Sequence, residues 1–400
     1  MRVALCVEAF PRLSETFVIE QAAALAAAGL EIDILAHARD AQGLVHHAVH
    51  EARLMDRASF AAETLEHAAA RYVKRPYRLR EALIDRGERR AARFRGGRYD
   101  VILCHFGTSG VRALSLRDRG HVSGEIWTIF HGYDIARPGK AGRELYADLF
   151  ARTERFLPVS HFWKERLIEL GCPASRIAVR HMGVDCANFP FARRLEQTGA
   201  PVSLLSVCRL VEKKGLHIAL QALGRLARER PQVSWRYEVV GSGPLSEHLQ
   251  ALADAEGLAE RVAFLGARSD VEVRAALDRA DVFVLPSVTA SNGDMEGIPV
   301  ALMEAMASGA AVASSFHSGI PELVTHGVAG LLAPEGDVNS LADNLAALIE
   351  SSGLRATLAD QARQVVERRF DSRRLSQDLA HELSCVRSGS RREAEALPFV

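Results

Sequence analysis

The hydrophobic positions of this chain fall into short strand-like runs divided by longer stretches of helical period. Residues 3–7 form the first apolar run. A polar turn, Pro11-Arg12-Leu13-Ser14-Glu15, follows, and a helical stretch runs from Thr16 to a stop at Gly29. Ser14 is placed to cap that helix, Glu15 suits its positive end, and glycine terminates helices readily. Residues 31–35 are the next run. Strand, helix and strand in this order make a βαβ unit, which implies a parallel sheet. Runs at 100–104, 126–130, 156–159 and 177–179 repeat the rhythm, with Ser160 as the cap of a helix that ends at Gly171.

Residues 187–201 break the pattern with a polar, loop-like stretch that has prolines towards both ends, and a domain boundary is expected there. The alternation then restarts, with runs at 202–207, 236–240, 262–265 and 282–285 and shorter ones at 311–313 and 330–332. The expectation is α/β: two doubly wound Rossmann-like domains in tandem. Ligands of such sheets bind outside the carboxyl ends of the strands, so two facing domains would line a central cleft with strand ends. A helix from about Ser372 to Cys385 and a patternless tail, 386–400, close the chain.

Composition narrows the function classes. A length of 400 residues fits two domains at about 150 each, and 48% hydrophobic residues can fill two cores. Lys plus Arg number 50 and Asp plus Glu number 50, which argues against nucleic-acid binding through bulk charge. No apolar run approaches the roughly 18 residues of a membrane span, and the opening MRVALCVEAF turns polar too soon for a signal peptide. Cys6, Cys104, Cys172, Cys186, Cys208 and Cys385 have no C-x-x-C spacing, so buried thiols in a cytoplasmic protein are expected. One segment departs from neutrality. Between Arg71 and Arg98, ten arginines and one lysine face three acidic residues, a net +8, with Tyr72, Val73, Tyr77, Leu79, Leu83, Ile84 and Phe94 interleaved. This is either a solvated basic helix face or a contact for an anionic membrane surface or a phosphate-bearing acceptor.

Candidate chemistry gathers at strand ends. The densest stretch is SVTASNGDMEGIPVALMEAMASG, after the run at 282–285. Asn292-Gly293-Asp294 marks a loop, Glu296-Gly297-Ile298-Pro299 leads into a helix with Pro299 suited to its first turn, and Glu304 lies along that helix. Glu296 and Glu304 could accept hydrogen bonds from sugar hydroxyls, or be ordinary solvated acids. Arg209-Leu210-Val211-Glu212-Lys213-Lys214-Gly215 follows the run at 202–207. Arg209 offers a fork and Lys214 a point charge to phosphate oxygens, unless this is a solvated loop. Gly241-Ser242-Gly243-Pro244 lacks the third glycine of a dinucleotide fingerprint and reads as a tight turn. In the first half, His131 and Asp134 of FHGYD end one strand and His105 another; each histidine is a site residue or a satisfied structural one. No D-x-D pair or metal-ligand spacing is present, so no metal or other cofactor is expected.

Taken together, these segments resemble the retaining glycosyltransferases of family 4, which have the two-Rossmann GT-B fold. The E-x7-E pattern spans Glu296 to Glu304 and the R-x4-K-G pattern spans Arg209 to Gly215, with HGYD, the stretch from Ser160 to Gly171, and MGVD in family order. The segments FPRLSETFV, FHGYDI and SNGDMEGIPVALMEAM resemble a narrower branch, the colanic-acid-type exopolysaccharide enzymes. The resemblance implies an acceptor-side domain at 1–190, a donor-binding domain at 201–370, and a helix in 371–400 that crosses back to the first. It implies transfer of a hexose from a nucleotide-sugar, a UDP-sugar in the first instance, to a lipid-linked saccharide, with retention and without metal. Arg209 and Lys214 would hold the donor diphosphate, Glu304 the ribose, and Glu296 the donor sugar beside the backbone of Gly297, Ile298, Pro299 and Val300. Gly241 and Arg268 would border the nucleotide. His131 would lie near the reacting carbon, Asp134 would orient its loop, and Ser14, Glu15 and Thr16 would close over the site. Pro11–Thr16 replaces the glycine-rich first loop of many members, and Met182 replaces the usual Asn before Gly-Val-Asp. Two other functions fit the same residues: a catalytically silent nucleotide-sugar-binding partner of a polysaccharide assembly complex, and a nucleotide-sugar epimerase or hydrolase on the same fold.

Overall fold

The computed structural model describes residues 1–12, 15–40, 47–70, 72–73, 77–92, 96–132, 134–136, 140–194 and 199–388. Contacts divide the chain into two compact units. The first comprises Met1–Val159, Lys164–Arg180 and the residues from Arg373 on; the second comprises Ser160–Trp163 and His181–Ser372. The division falls ahead of the polar stretch at 187–201 expected as the boundary.

The first unit holds a six-stranded sheet: β1 (Arg2–Phe10), β2 (Glu31–Arg39), β3 (Ala58–Phe60), β4 (Arg98–His105), β5 (Ser123–Phe130) and β6 (Arg155–Pro158), in the order β3-β2-β1-β4-β5-β6. All its pairings are parallel. Val3, Ala4, Leu5, Cys6 and Val7 are all buried, as a strand covered on both faces requires. The helix Thr16–Ala27 follows β1. Ser14, its expected cap, lies outside the described residues. Glu15 takes the cap position but makes no capping bond there; its carboxylate accepts from Arg12 at 2.8 Å. Residues 177–179 do not form the expected strand. They run beside β6 through a single bridge, Ile177 to Phe156. β3, which the sequence reading did not anticipate, is only three residues long.

A partly buried ion cluster braces this unit. Helix Tyr77–Ala92 sends Glu88 to Arg112 at 2.7 Å and to His37 Nδ1 at 3.1 Å. Arg112 also donates to the Leu35 carbonyl at 3.1 Å. Burial raises the Glu88 carboxyl, but the His37 bond and the Arg112 charge overcome it and hold the group down at about 2. The C-terminal helix Ser372–Ser388 is tied to the same unit, where the buried Glu382 accepts from Arg155 at 2.8 Å and from Arg180 Nε at 3.0 Å.

The second unit repeats the topology with β7 (Val202–Val207), β8 (Trp235–Val240), β9 (Val262–Gly266), β10 (Val282–Leu285), β11 (Ala311–Ser315) and β12 (Leu331–Ala333), in the order β12-β11-β10-β7-β8-β9. Alternation along β10 builds two cores. Val282 and Val284 pack with helices Leu216–Glu229 and Val338–Glu350, while Phe283 and Leu285 pack with helices Val300–Ser308 and Ser352–Arg369. Phe283 is fully buried, so truncating it to alanine would cost about 3–5 kcal/mol. Both sheets wind out from a central pair, β1/β4 and β7/β10, and in such sheets ligands bind at the carboxyl end of that switch point.

Candidate functional site

At the β7/β10 switch point two loops are stitched together by charge. Three consecutive residues of the first loop take partners from the second. The Glu212 carboxylate accepts from the Ser291 N–H at 3.0 Å and from its hydroxyl at 2.7 Å. Lys213 Nζ lies 3.1 Å from Asp294 and donates to the Met295 carbonyl at 3.3 Å. Lys214 Nζ lies 2.8 Å from a Glu296 carboxylate oxygen. Gly215 makes the close approach feasible. Its φ is 65°, and a Cβ there would stand 1.8 Å from the Pro286 carbonyl oxygen.

Glu296 is buried, which alone would raise its carboxyl; Lys214 and Lys213 outweigh that and hold it below its ordinary value. Its peptide is fixed on both sides. The N–H donates to His317 Nε2 at 3.1 Å, and the C=O accepts from Trp163 Nε1 at 3.1 Å and Ser318 Oγ at 2.7 Å. Gly297, Ile298 and Pro299 then lead to the helix Val300–Ser308, which Gly309 ends in the left-handed region at φ 97°. Pro299 stands at the cap, one residue before the expected first turn, and Glu304 is half-buried on the helix.

Arg209 is exposed, and its side chain makes no hydrogen bond or ion pair with the described residues. The backbone around it is fixed. Leu210 N–H donates to the Ser242 carbonyl at 2.9 Å, and Leu245 N–H to the Leu210 carbonyl at 3.1 Å. Gly241 permits this, since a Cβ there would lie 1.8 Å from the Cys208 carbonyl oxygen. The GSGP segment is therefore a tight turn that supports Arg209's strand end. Arg268 is exposed just after β9, 3.5 Å from Glu272, whose helix Ser269 caps.

The strand ends of the first unit carry a different cluster. His105 Nδ1 and His131 Nε2 are 3.1 Å apart, and their rings stack at 5.3 Å. Phe17 and Phe106 flank His131 at 4.7 and 4.6 Å between centroids. Burial and the neighbouring His105 hold His131 well below its ordinary value, and burial takes His105 to about 3, so both rings are neutral near pH 7. The Asp134 carboxylate accepts from the N–H groups of Gly107 at 2.7 Å, His131 at 3.0 Å and Gly132 at 3.1 Å. Burial outweighs those bonds and raises it to about 6.

The structure thus brings Lys214 to Glu296 and His131 to Asp134. Ser14 lies outside the described residues, Glu15 is engaged by Arg12, and Thr16 opens its helix. Sequence reading passed over Lys213, Trp163, His317 and Glu335. Their signal was weak, although His317 follows β11 as His131 follows β5. Among the described residues, no group of three or more His, Cys, Asp and Glu is arranged to hold a metal ion. Nor is any described helix long and apolar enough to cross a membrane.

Two doubly wound units, each on a six-stranded parallel sheet, are the architecture of the GT-B glycosyltransferases. Residues 14–188 match the Glycosyltransferase Family 4 domain and residues 192–365 the Glycosyl transferases group 1 domain. The chain is 38% identical to a protein named as the colanic acid biosynthesis glycosyltransferase WcaL of Escherichia coli (strain K12), over 96% of this chain and all of that one. It is 42% identical to the amylovoran biosynthesis glycosyltransferase AmsK of Erwinia amylovora, over 71% of this chain and 70% of that one. The crystal structure of Anabaena HepE in complex with UDP shares the fold with a TM-score of 0.74 and 20% identity, covering 96% of this chain and 100% of that one. The chain belongs to the group 1 and family 4 glycosyltransferases.

Proposed function

We propose that this glycosyltransferase moves a hexose from a UDP-sugar to a lipid-linked saccharide during exopolysaccharide synthesis, with retention and without a metal ion. The observation that carries the reading is the exposed Arg209, unengaged among the described residues, beside the Lys214–Glu296 pair at the end of β7. A diphosphate would take Arg209 bidentately and draw on Lys214, so the two cations neutralise the charge that grows on the leaving group. Glu304 would accept from ribose hydroxyls and Glu296 from the donor sugar. The bond between the anomeric carbon and the diphosphate oxygen breaks as the acceptor oxygen bonds to that carbon from the same face. The acceptor's proton passes to the departing diphosphate. Neutral His131, at the strand ends of the first unit, would offer a hydrogen bond to a sugar hydroxyl without adding a positive charge.

HepE was solved with UDP, and the relatives WcaL and AmsK are named for the synthesis of two exopolysaccharides. Cys6, Cys104, Cys172 and Cys186 are buried free thiols, while Cys208 and Cys385 are half-buried rather than buried as expected. Arg78, Arg86 and Arg89 are exposed along one face of helix Tyr77–Ala92 with the exposed Leu79 at its edge, a face suited to an anionic membrane that carries the acceptor. Arg71, Lys74, Arg75, Arg93, Phe94 and Arg95 of the basic segment lie outside the described residues. The test is product analysis of purified protein with UDP-sugars and a lipid-linked saccharide, with and without Mg²⁺ and EDTA. Retained configuration in a glycoside formed without metal supports the reading. Epimerised or hydrolysed donor regardless of acceptor, or no turnover with intact UDP binding, refutes it.

A further inference from the structure

His317 is fully buried in side chain and was assigned no role by the sequence. Its two ring nitrogens face two loops. Nε2 lies 3.1 Å from the Glu296 N–H, and Nδ1 lies 2.7 Å from a Glu335 carboxylate oxygen. The other Glu335 oxygen accepts from the Thr289 N–H, in the same loop as Glu296. A backbone N–H can only donate, so Nε2 must present its lone pair, and the ring proton must sit on Nδ1. Glu335 makes that tautomer the favourable one, because Nδ1–H then donates to a carboxylate. Burial raises the Glu335 carboxyl, but the His317 and Thr289 bonds overcome this and hold it below its ordinary value. The loops after β10, β11 and β12 therefore meet on one imidazole in one tautomer.

We propose that His317, held in its Nδ1–H tautomer by Glu335, is a positioning residue that fixes the Glu296 peptide for the donor sugar. The inference deepens the function proposed above and rests on it. The Glu296 C=O has two donors, but among the described residues its N–H has only His317. Without an acceptor there, the N–H would be buried and unsatisfied, and the 296–297 segment would turn to find another. Glu296 and Gly297 would move relative to the sugar, while Arg209 and Lys214 stay on their own loop. The consequence is selective: sugar-dependent steps suffer and nucleotide binding does not.

Two variants separate positioning from general support. In His317→Gln the longer side chain can bring its amide oxygen to where Nε2 was, keeping an acceptor for the Glu296 N–H. In His317→Asn the amide reaches only as far as Nδ1, so Glu335 keeps a donor and the Glu296 N–H loses its acceptor. The experiment measures kcat and donor KM of the full chain, UDP affinity by calorimetry, Tm, and hydrogen exchange of the Glu296 amide. His317→Asn is expected to lower kcat by on the order of tenfold or more with UDP affinity within about twofold, and His317→Gln to recover most of it. The Glu296 amide should be protected in wild type and His317→Gln and exchange faster in His317→Asn. Equal activity and equal protection in the two variants would overturn the proposal, as would loss of UDP affinity in step with kcat. If wild-type protein binds UDP but transfers nothing, the proposed function fails, and amide exchange alone decides the claim about His317.

Discussion

At the strand ends of the second unit, Lys213, Lys214, Asp294 and Glu296 meet as ion pairs, each with its partner on the other loop. At those of the first, two neutral imidazoles stack and a carboxylate is filled by three backbone N–H groups. The strand order is the same, and the chemistry is opposite. A cation in an ion pair can take a second anion while keeping its first, so its charge stays compensated throughout. Under the proposed function, the Lys214–Glu296 pair would be a placeholder that keeps both groups ionised and aimed until a diphosphate arrives. The His131–Asp134 arrangement has no ion pair to exchange. Its carboxylate is consumed in shaping the turn, which leaves a neutral ring suited to hydroxyls.

The comparison can be broken most forcefully at Lys214. Lys214→Ala should lower turnover by on the order of 10²-fold or more and also destabilise the second unit by about 3–5 kcal/mol, because Glu296 is left buried without its closest cation. Arg209→Ala should give a similar kinetic loss with no change in Tm. Equal Tm losses in the two variants, read by calorimetry, would sink the placeholder idea. The first unit has its charge elsewhere, in the Glu88 cluster. There the carboxyl is depressed from 4.5 to about 2, so its stabilisation is complete above pH 4.5 and disappears as pH falls towards 2. Glu88→Gln should cost roughly 2–3 kcal/mol at pH 7 and flatten the acid limb of a urea-unfolding pH series, with donor KM unchanged. A smaller effect is expected from Asp134→Asn, which opposes an amide N–H to backbone N–H groups. About 1–3 kcal/mol of stability should be lost, with a fall in kcat and unaltered UDP affinity. Weakened UDP binding would place the neutral cluster's role in the nucleotide half. Smallest of all, Arg86→Glu with Arg89→Glu should leave Tm and kcat on a soluble acceptor unchanged while reducing binding to anionic vesicles. Unaltered vesicle binding would return that face to plain solvation.

Most of the architecture could be read from the chain because buried parallel strands leave continuous apolar runs, such as residues 3–7 and 282–285. What escaped was marginal in length or sign. β3 is too short to show a period, and the 177–179 run has strand composition but only one bridge. Arg209, Lys214, Glu296 and Glu304 stood out as candidates because their spacing is local, and the structure brings Lys214 to Glu296. The tie of Lys213 to Asp294, or of His317 to Glu296 and Glu335, was not, since those partners become neighbours only through sheet order. Pro299 and Gly241 were understood by type, but the reason for Gly241, a carbonyl oxygen lying where its Cβ would be, exists only in three dimensions.

Residues 212, 213 and 214 pair in sequence with 291, 294 and 296. That arrangement works like a keyed connector. Inserting or deleting one residue in either loop would misalign all three pairs together, and Gly215 leaves no slack against Pro286 to absorb the shift. Under the proposed function, diversification towards other sugars or bases is thereby steered to substitutions within loops of constant length. It is also steered to segments outside the key, such as the exposed residues Ala267 and Arg268 after β9.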